Sequence, residues 1–504
     1  MNTHALIANG AAIPLAEIPH LPFAAFQEHI ARACGDGHRL VCLTATPDLT
    51  GFAVLEAPEG PVLQVLRTTF PPVEFPSLTP ACPQAHLFER EIAEQRGLKA
   101  IGHPWFKPVR YHQAWGSPRD PWDRQGEILP GVTNFFRVEG TQVHEVAVGP
   151  VHAGVIEPGH FRFQCSGETV FNLEIALGYQ HRGIERTLQG GPHACTFKHM
   201  ETAAGDTTIG HAWAHCLAME GLLDLDVPLR ANLIRAVALE LERLANHTGD
   251  LGAIAGDVGF LPTLSYCGRL RGDWLNMTAV LCGSRLGRDL LRAGGVRFDV
   301  DRERAEDLMA RLEATAADTA NAVELMWSTA SVLSRLEGTG RVIPAHAENL
   351  GLVGPAGRAC GLDRDVRRSH PYGPYAETEL PRVLEDLGDV AARARVRAAE
   401  IHSSVDFLRW ALDVLRTLPP SPVAVEAPRL LPAEHLALGM TEGWRGEIVH
   451  LAVTDHRGRF AHYKIVDPSF HNWTGLALAL RGEGISDFPL CNKSFNLSYC
   501  GFDL

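Results

Sequence analysis

Five stretches of this chain repeat alanine, leucine and arginine at helical spacing: 210–220, 230–247, 270–291, 301–333 and 391–418. Helices of this length carry apolar stripes that must be buried against one another, so the spacing predicts a helix bundle through the middle of the chain. Within 231–247, Leu233, Ala236, Glu240, Leu244 and His247 fall three or four residues apart. A glutamate and a histidine therefore share a face with leucines. They are either packed polar residues hydrogen-bonded to neighbours or members of a site.

The flanks read differently. Short apolar runs at 41–45, 52–55 and 62–67 are strand candidates separated by proline and glycine, and 21–33 and 84–95 read as helices. Residues 1–114 are thus expected to form a small α/β domain. A polar stretch at 115–131 with Pro118, Pro121 and Pro130 reads as a linker, and 132–504 as the second domain. That domain opens with strand candidates at 143–148, 161–165 and 169–173 and returns to strands at 447–453 and 461–466. The expected fold class is α+β: a small N-terminal domain followed by a large, mainly helical bundle with peripheral antiparallel strands.

A length of 504 residues exceeds one ordinary domain. With 45% hydrophobic and 21% charged residues the chain is globular rather than disordered. Its net charge of -13 argues against a nucleic-acid partner, which calls for a basic footprint. No apolar run approaches the roughly 18 residues that cross a bilayer. Met1-Asn2-Thr3-His4-Ala5 is not the start of a signal peptide. The expectation is a cytoplasmic chain that reaches a membrane only through partners. None of the 11 cysteines forms a CxxC pair, which excludes a disulfide framework and gives no spacing for an iron–sulfur cluster. They read as buried free thiols.

The run His86-Leu87-Phe88-Glu89-Arg90-Glu91, with Gly97 and then Gly102-His103-Pro104, resembles the signature of the complex I 30-kDa subunit and its hydrogenase counterpart. Val148-Gly149-Pro150-Val151-His152, Glu157-Pro158-Gly159-His160 and Gly178-Tyr179-Gln180-His181-Arg182-Gly183-Ile184-Glu185 resemble the opening motifs of the 49-kDa subunit. They are closer still to the large subunit of formate-hydrogenlyase-type, group 4 energy-converting hydrogenases. Glu240-Leu241-Glu242-Arg243 with His247, Gly294-Gly295-Val296-Arg297, Gly351-Leu352-Val353-Gly354-Pro355 with Arg358, and His370-Pro371-Tyr372 continue the series. Gly388-Asp389-Val390, Pro468-Ser469-Phe470 and Asp487-Phe488-Pro489 close it. The blocks run in order over nearly the whole chain, and both signatures on one polypeptide match the fused arrangement of the hydrogenlyase branch. The resemblance makes Arg182, Glu240, Arg243, His247, Arg297 and Arg358 structural residues of the family.

The resemblance implies a nickel–iron centre held by four thiolates, soft ligands suited to such metals, from two CxxC pairs. Here those positions hold Ala204 and Thr207, then Ser498 and Gly501, with Cys500 one residue out of register. Alanine and glycine offer no donor atom, and neutral hydroxyls are poor substitutes for thiolate, so no metal is expected on this chain. In the complex I branch a histidine and a tyrosine bind the quinone headgroup. The histidine position matches His152, but the tyrosine position is Gly205. By motif analogy His152, Glu157, His160, Glu201, Asp206, His211, Asp487 and Asp503 surround the old reaction site, either as proton carriers or as hydrogen-bonded struts.

The resemblance therefore implies a nickel-free, hydrogenase-like large subunit of a membrane-bound energy-converting or respiratory oxidoreductase. It would stand beside an iron–sulfur small subunit and above membrane-embedded ion-pumping subunits, on the cytoplasmic side of the membrane. It binds no cofactor of its own, and a quinone is the candidate acceptor. The competing expectations are a quinone-reducing subunit of the NADH:quinone oxidoreductase type, a structural coupling subunit without a substrate, and a residual nickel–iron hydrogenase.

Overall fold

The computed structural model describes residues 3–58, 60–115, 117–152, 156–428 and 430–504; Met1, Asn2 and Gly116 of the expected linker lie outside them. Short apolar runs build a four-stranded antiparallel sheet near the N-terminus, in the order Ala5–Ala8, Val62–Thr69, Thr50–Glu56, Arg39–Ala45. Helices Phe23–Gly35 and His86–Arg96 accompany it. A second, three-stranded antiparallel sheet follows, with His160–Ser166 between Val143–Val148 and Thr169–Ala176.

The bundle is built by helices Leu229–Asp257, Leu261–Cys282, Arg302–Trp327 and Val390–Thr417. Asp301 and Asp389 cap two of them, each side chain accepting a hydrogen bond from a backbone N–H of the first turn. Two helices are shorter than the spacing predicts. The run expected to reach residue 291 stops at Cys282, where Gly283 takes a left-handed conformation at φ 77°. The run 301–333 breaks at Ser328 and Thr329 and resumes as Ala330–Leu336. The large domain is thus the expected helical bundle with peripheral antiparallel strands.

A third sheet closes the molecule. His435–Gly443, Gly446–Thr454 and Phe460–Val466 form an antiparallel meander, and the N-terminal strand Ala12–Pro14 pairs onto its edge. Helix Thr208–Leu223 packs across this sheet. The N-terminal sheet is joined to it by buried charges. The Lys464 ammonium, wholly shielded from solvent, lies 2.7 Å from Glu91 and 2.9 Å from Glu185. Arg110 pairs with the same Glu91, and Gln95 donates to Glu185 at 2.9 Å. Arg39 reaches across to Glu447, its Nη1 donating at 2.9 Å.

Removing one partner from such a network strands the others in a medium that cannot solvate them. Lys464→Met leaves two carboxylates facing each other and is expected to cost about 3–5 kcal/mol. The fall appears in the midpoint of chemical denaturation. A loss within the range of an exposed pair, below about 1 kcal/mol, would contradict this role.

Candidate functional site

The four positions that the resemblance assigns to metal ligands, Ala204, Thr207, Ser498 and Gly501, lie on the segments 201–207 and 498–503. Arg182 ties them together by donating to the carbonyls of Thr202 at 2.7 Å, Ala203 at 2.8 Å and Cys500 at 3.3 Å. Each position is occupied by something other than a metal ligand. Ala204 is buried and has no donor. The Thr207 hydroxyl takes hydrogen bonds from Trp444 Nε1 at 3.1 Å and Arg445 Nη1 at 3.3 Å and donates to Asp206 at 3.2 Å. The Ser498 hydroxyl caps the last helical turn, accepting from Gly501 N at 2.9 Å. A Cβ placed on Gly501 would meet the Asp467 carboxylate at 2.7 Å and Ser498 Oγ at 2.9 Å, inside van der Waals contact. Among the described residues no group of three or more His, Cys, Asp or Glu side chains is arranged to hold a metal ion. The residues present do not fit a nickel–iron centre.

Asp467 begins a file of buried polar groups. Its Oδ2 accepts from His211 Nε2 at 3.0 Å, and His211 Nδ1 lies 3.1 Å from His450 Nε2. His450 Nδ1 lies 3.0 Å from the Tyr463 hydroxyl, which is 2.7 Å from His215 Nδ1. All five residues are at most 4% exposed. Burial, then the neighbouring His211 and His215, hold the His450 pKa well below its ordinary value. Burial alone takes His215 down to about 3, and it pushes Tyr463 far up. His450, His215 and Tyr463 are therefore neutral near pH 7. Burial works against the Asp467 charge, but the hydrogen bond and charge of His211, with Arg445 and Ser469, together outweigh it and lower the pKa.

These states allow an ordering that runs in one direction. His211 donates to Asp467 and accepts from His450, His450 accepts from Tyr463, and Tyr463 accepts from His215. Every donor points toward Asp467. A proton delivered to the free nitrogen of His215 can then shift each hydrogen one place along and arrive at the carboxylate.

A second group stands beside the file. Arg445 holds Asp206 with two nitrogens, Nη2 at 2.8 Å, and stacks 3.9 Å over the Trp444 ring. Burial opposes the Asp206 charge, and Arg445 overcomes it and lowers the pKa. Glu242 accepts from the N–H groups of Ile209 at 2.8 Å and Gly210 at 3.2 Å, yet burial pushes its pKa to about 8.

Of the residues expected around the old site, the structure brings together His211, Asp206 and Glu157, whose Oε2 accepts from Tyr499 N at 3.1 Å. Asp503 lies on the same terminal segment. It accepts from the N–H groups of Gly178 and Gln180, and burial raises its pKa to about 7. Gly205 is exposed, and an added Cβ there would touch nothing within 4 Å, so the position aligned with the quinone tyrosine opens onto free space. His152 bonds the carbonyl of Gly159 at 3.1 Å, and His160 faces the carbonyl of Gly149 at 3.4 Å. Glu201 points elsewhere, accepting from Asp289 N at 2.5 Å. Asp487 forms an ion pair with the half-exposed Arg335 at 2.9 Å and takes no part in the file.

Glu240 and His247 prove to be packing-side polar residues. Glu240 accepts from Arg243, Arg367, Tyr375 and Ser404, and His247 bonds Glu400 at 2.8 Å. Arg358 bridges Glu400 and Glu442 at 2.7 Å each. Arg297 is exposed. Sequence reasoning missed Asp467, His450, Tyr463, His215 and Arg445. The available signal was His215, one helical turn beyond His211.

The fold is that of a large subunit of the hydrogenase and complex I type, with no grouped metal ligands among the described residues, and the comparisons show the same family. Residues 36–125 match the family described as respiratory-chain NADH dehydrogenase, 30 Kd subunit, and residues 257–439 match the 49 Kd subunit. Formate hydrogenlyase subunit 5 of Escherichia coli is 30% identical over 438 residues, covering 84% of this chain and 76% of that protein. Hydrogenase-4 component G of the same organism is 30% identical over 439 residues, 84% and 75% of the two chains. NADH-quinone oxidoreductase subunit 4 of Thermus thermophilus is 30% identical over 370 residues, 69% and 90%. The chain belongs to this family of hydrogenase and complex I large subunits, in a form that carries the 30-kDa-like and 49-kDa-like parts on one polypeptide.

Two predictions follow from the geometry. Gly501→Cys must displace the Asp467 carboxylate and is expected to destabilise the protein by about 1–3 kcal/mol in thermal unfolding, through overpacking. The Glu242 carboxyl is raised in the folded state from 4.5 to about 8, so its stabilising contribution is complete below pH 4.5 and lost as pH rises through about 8. Unfolding measured across that window is expected to lose this slope in Glu242→Gln, and an unchanged slope would rule the residue out.

Proposed function

We propose that this chain is the nickel-free large subunit of a membrane-bound energy-converting or respiratory oxidoreductase complex. It stands beside an iron–sulfur subunit on the cytoplasmic face and couples electron transfer there to ion movement through membrane-embedded partners. The observation that supports this reading is the ordered file from His215 to Asp467, which ends against the position aligned with a metal ligand. A group reduced near that position needs a proton to balance its new electron, and the file supplies one without admitting water. A purely structural subunit has no use for a line of buried, pre-oriented titratable groups at the old reaction centre, because each must be desolvated. Among the described residues no helix is long and apolar enough to cross a membrane, so membrane contact in this reading belongs to the partners.

A second reading, reduction of a quinone, is favoured by the open space at Gly205. It makes His152 a headgroup contact and predicts quinone-dependent oxidation that is lost in His152→Ala.

The test of the main reading uses the intact complex, reduced electrochemically in weak buffer with a pH indicator dye. His450→Phe breaks the file at its centre and keeps the ring volume. It is expected to slow proton uptake at least tenfold while iron content and subunit composition stay unchanged. Uptake at the unmodified rate would overturn the assignment.

A further inference from the structure

A cavity of about 230 Å³ lies away from the file, between helix His86–Arg96, the segment 105–111, strand Thr169–Ala176 and helix Pro468–Ala479. Trp105, Trp473 and Phe502 give it aromatic walls. Two of its lining residues are left without partners that their chemistry requires.

The first is Arg90. Its Nε donates to the carbonyl of Lys107 at 2.7 Å and its Nη2 to that of Pro108 at 2.8 Å. Among the described residues it has no ion pair, and Nη1 has no acceptor. Arg90 is partly exposed; burial lowers its pKa, and the neighbouring Tyr111, Glu94 and Glu174 offset this only in part. The second is Asn172, only 8% exposed, whose Nδ2 finds no acceptor among the described residues. Residues 172, 174 and 176 share one face of their strand. Glu174 on that face is already satisfied by Lys107 at 2.6 Å and by Phe136 N at 2.8 Å, so it is not the missing acceptor. A buried donor left without an acceptor, as at Asn172, is costly, and the partly exposed Arg90 lines the same cavity. Two such groups on one aromatic-walled cavity are explained together by a ligand that supplies the acceptor.

We propose that this cavity binds a small carboxylic acid with a flat apolar body, its carboxylate accepting from Arg90 and Asn172 and its body lying against Trp105 and Trp473. The site is separate from the proton file and does not depend on the function proposed above. Lys107 is already neutralised by Glu174, and the volume admits one or two fused rings rather than a long chain.

Titration calorimetry of the full-length chain tests this with two probes of equal shape, 1-naphthoate and the neutral 1-naphthalenemethanol. One-to-one binding of the acid is expected, at least tenfold tighter than the alcohol, with quenching of tryptophan fluorescence. Asn172→Leu and Arg90→Met are each expected to weaken the acid at least tenfold. Asn172→Leu removes an unsatisfied amide, so its melting temperature without ligand should equal or exceed that of the unmodified chain. If Arg90→Met does not fold, Asn172→Leu and the cavity-filling Ala477→Phe decide the matter. Equal affinity for acid and alcohol, no binding of either, or acid binding untouched by Asn172→Leu and Ala477→Phe would each overturn the proposal.

Discussion

One carboxylate fixes the relation between three parts of this molecule. Asp467 follows strand Phe460–Val466 and caps helix Pro468–Ala479 by accepting from Ser469 N at 2.8 Å. Its other oxygen takes the hydrogen bond of His211, from the helix that packs across the same sheet. The space it fills is the space a side chain at Gly501 would need. Sheet, helix and C-terminal turn are therefore held in one arrangement, and that arrangement excludes a thiolate at the fourth ligand position. At three of the positions that the resemblance assigns to ligands the structure has a helix cap at Ser498, a Thr207 hydroxyl bonded to three neighbours, and Gly501 packed against the Asp467 carboxylate that His211 bonds.

Much of the fold was legible because its signals are local. Helical spacing located the bundle helices, and strands 39–45, 50–56, 62–69 and 143–148 were found within two residues of their ends. Where the reading failed, the deciding contact was distant or turned on one residue. Gly283 ended a helix that the leucine spacing carried on to residue 291. Strand Ala12–Pro14 escaped notice because it is defined by pairing with His435–Ala437 across the length of the chain. No short window of sequence contains that information.

The site divides the same way. The expectation of no metal ligands rested on four residue types, and that of His211 on its motif. Its partners His450 and Asp467 lie 239 and 256 positions away, and nothing local marks them as neighbours. Asp487 shows the converse, since its motif placed it at the site while its side chain pairs with Arg335 outside it. For Glu240 and His247 the periodicity gave the correct face but not the role. Only the surrounding arginines and glutamates of the bundle identify them as members of a buried ionic network, in which each charge is tolerable because the others are present.

A scaffold of the hydrogenase and complex I family thus carries a buried file of titratable groups and, among the described residues, no grouped metal ligands. That claim stands or falls on the metal content of the assembled complex. Elemental analysis of the complex purified from its native source is predicted to find iron, carried by the partner subunit, and no nickel above background. Nickel in stoichiometric amount with this chain would contradict the account.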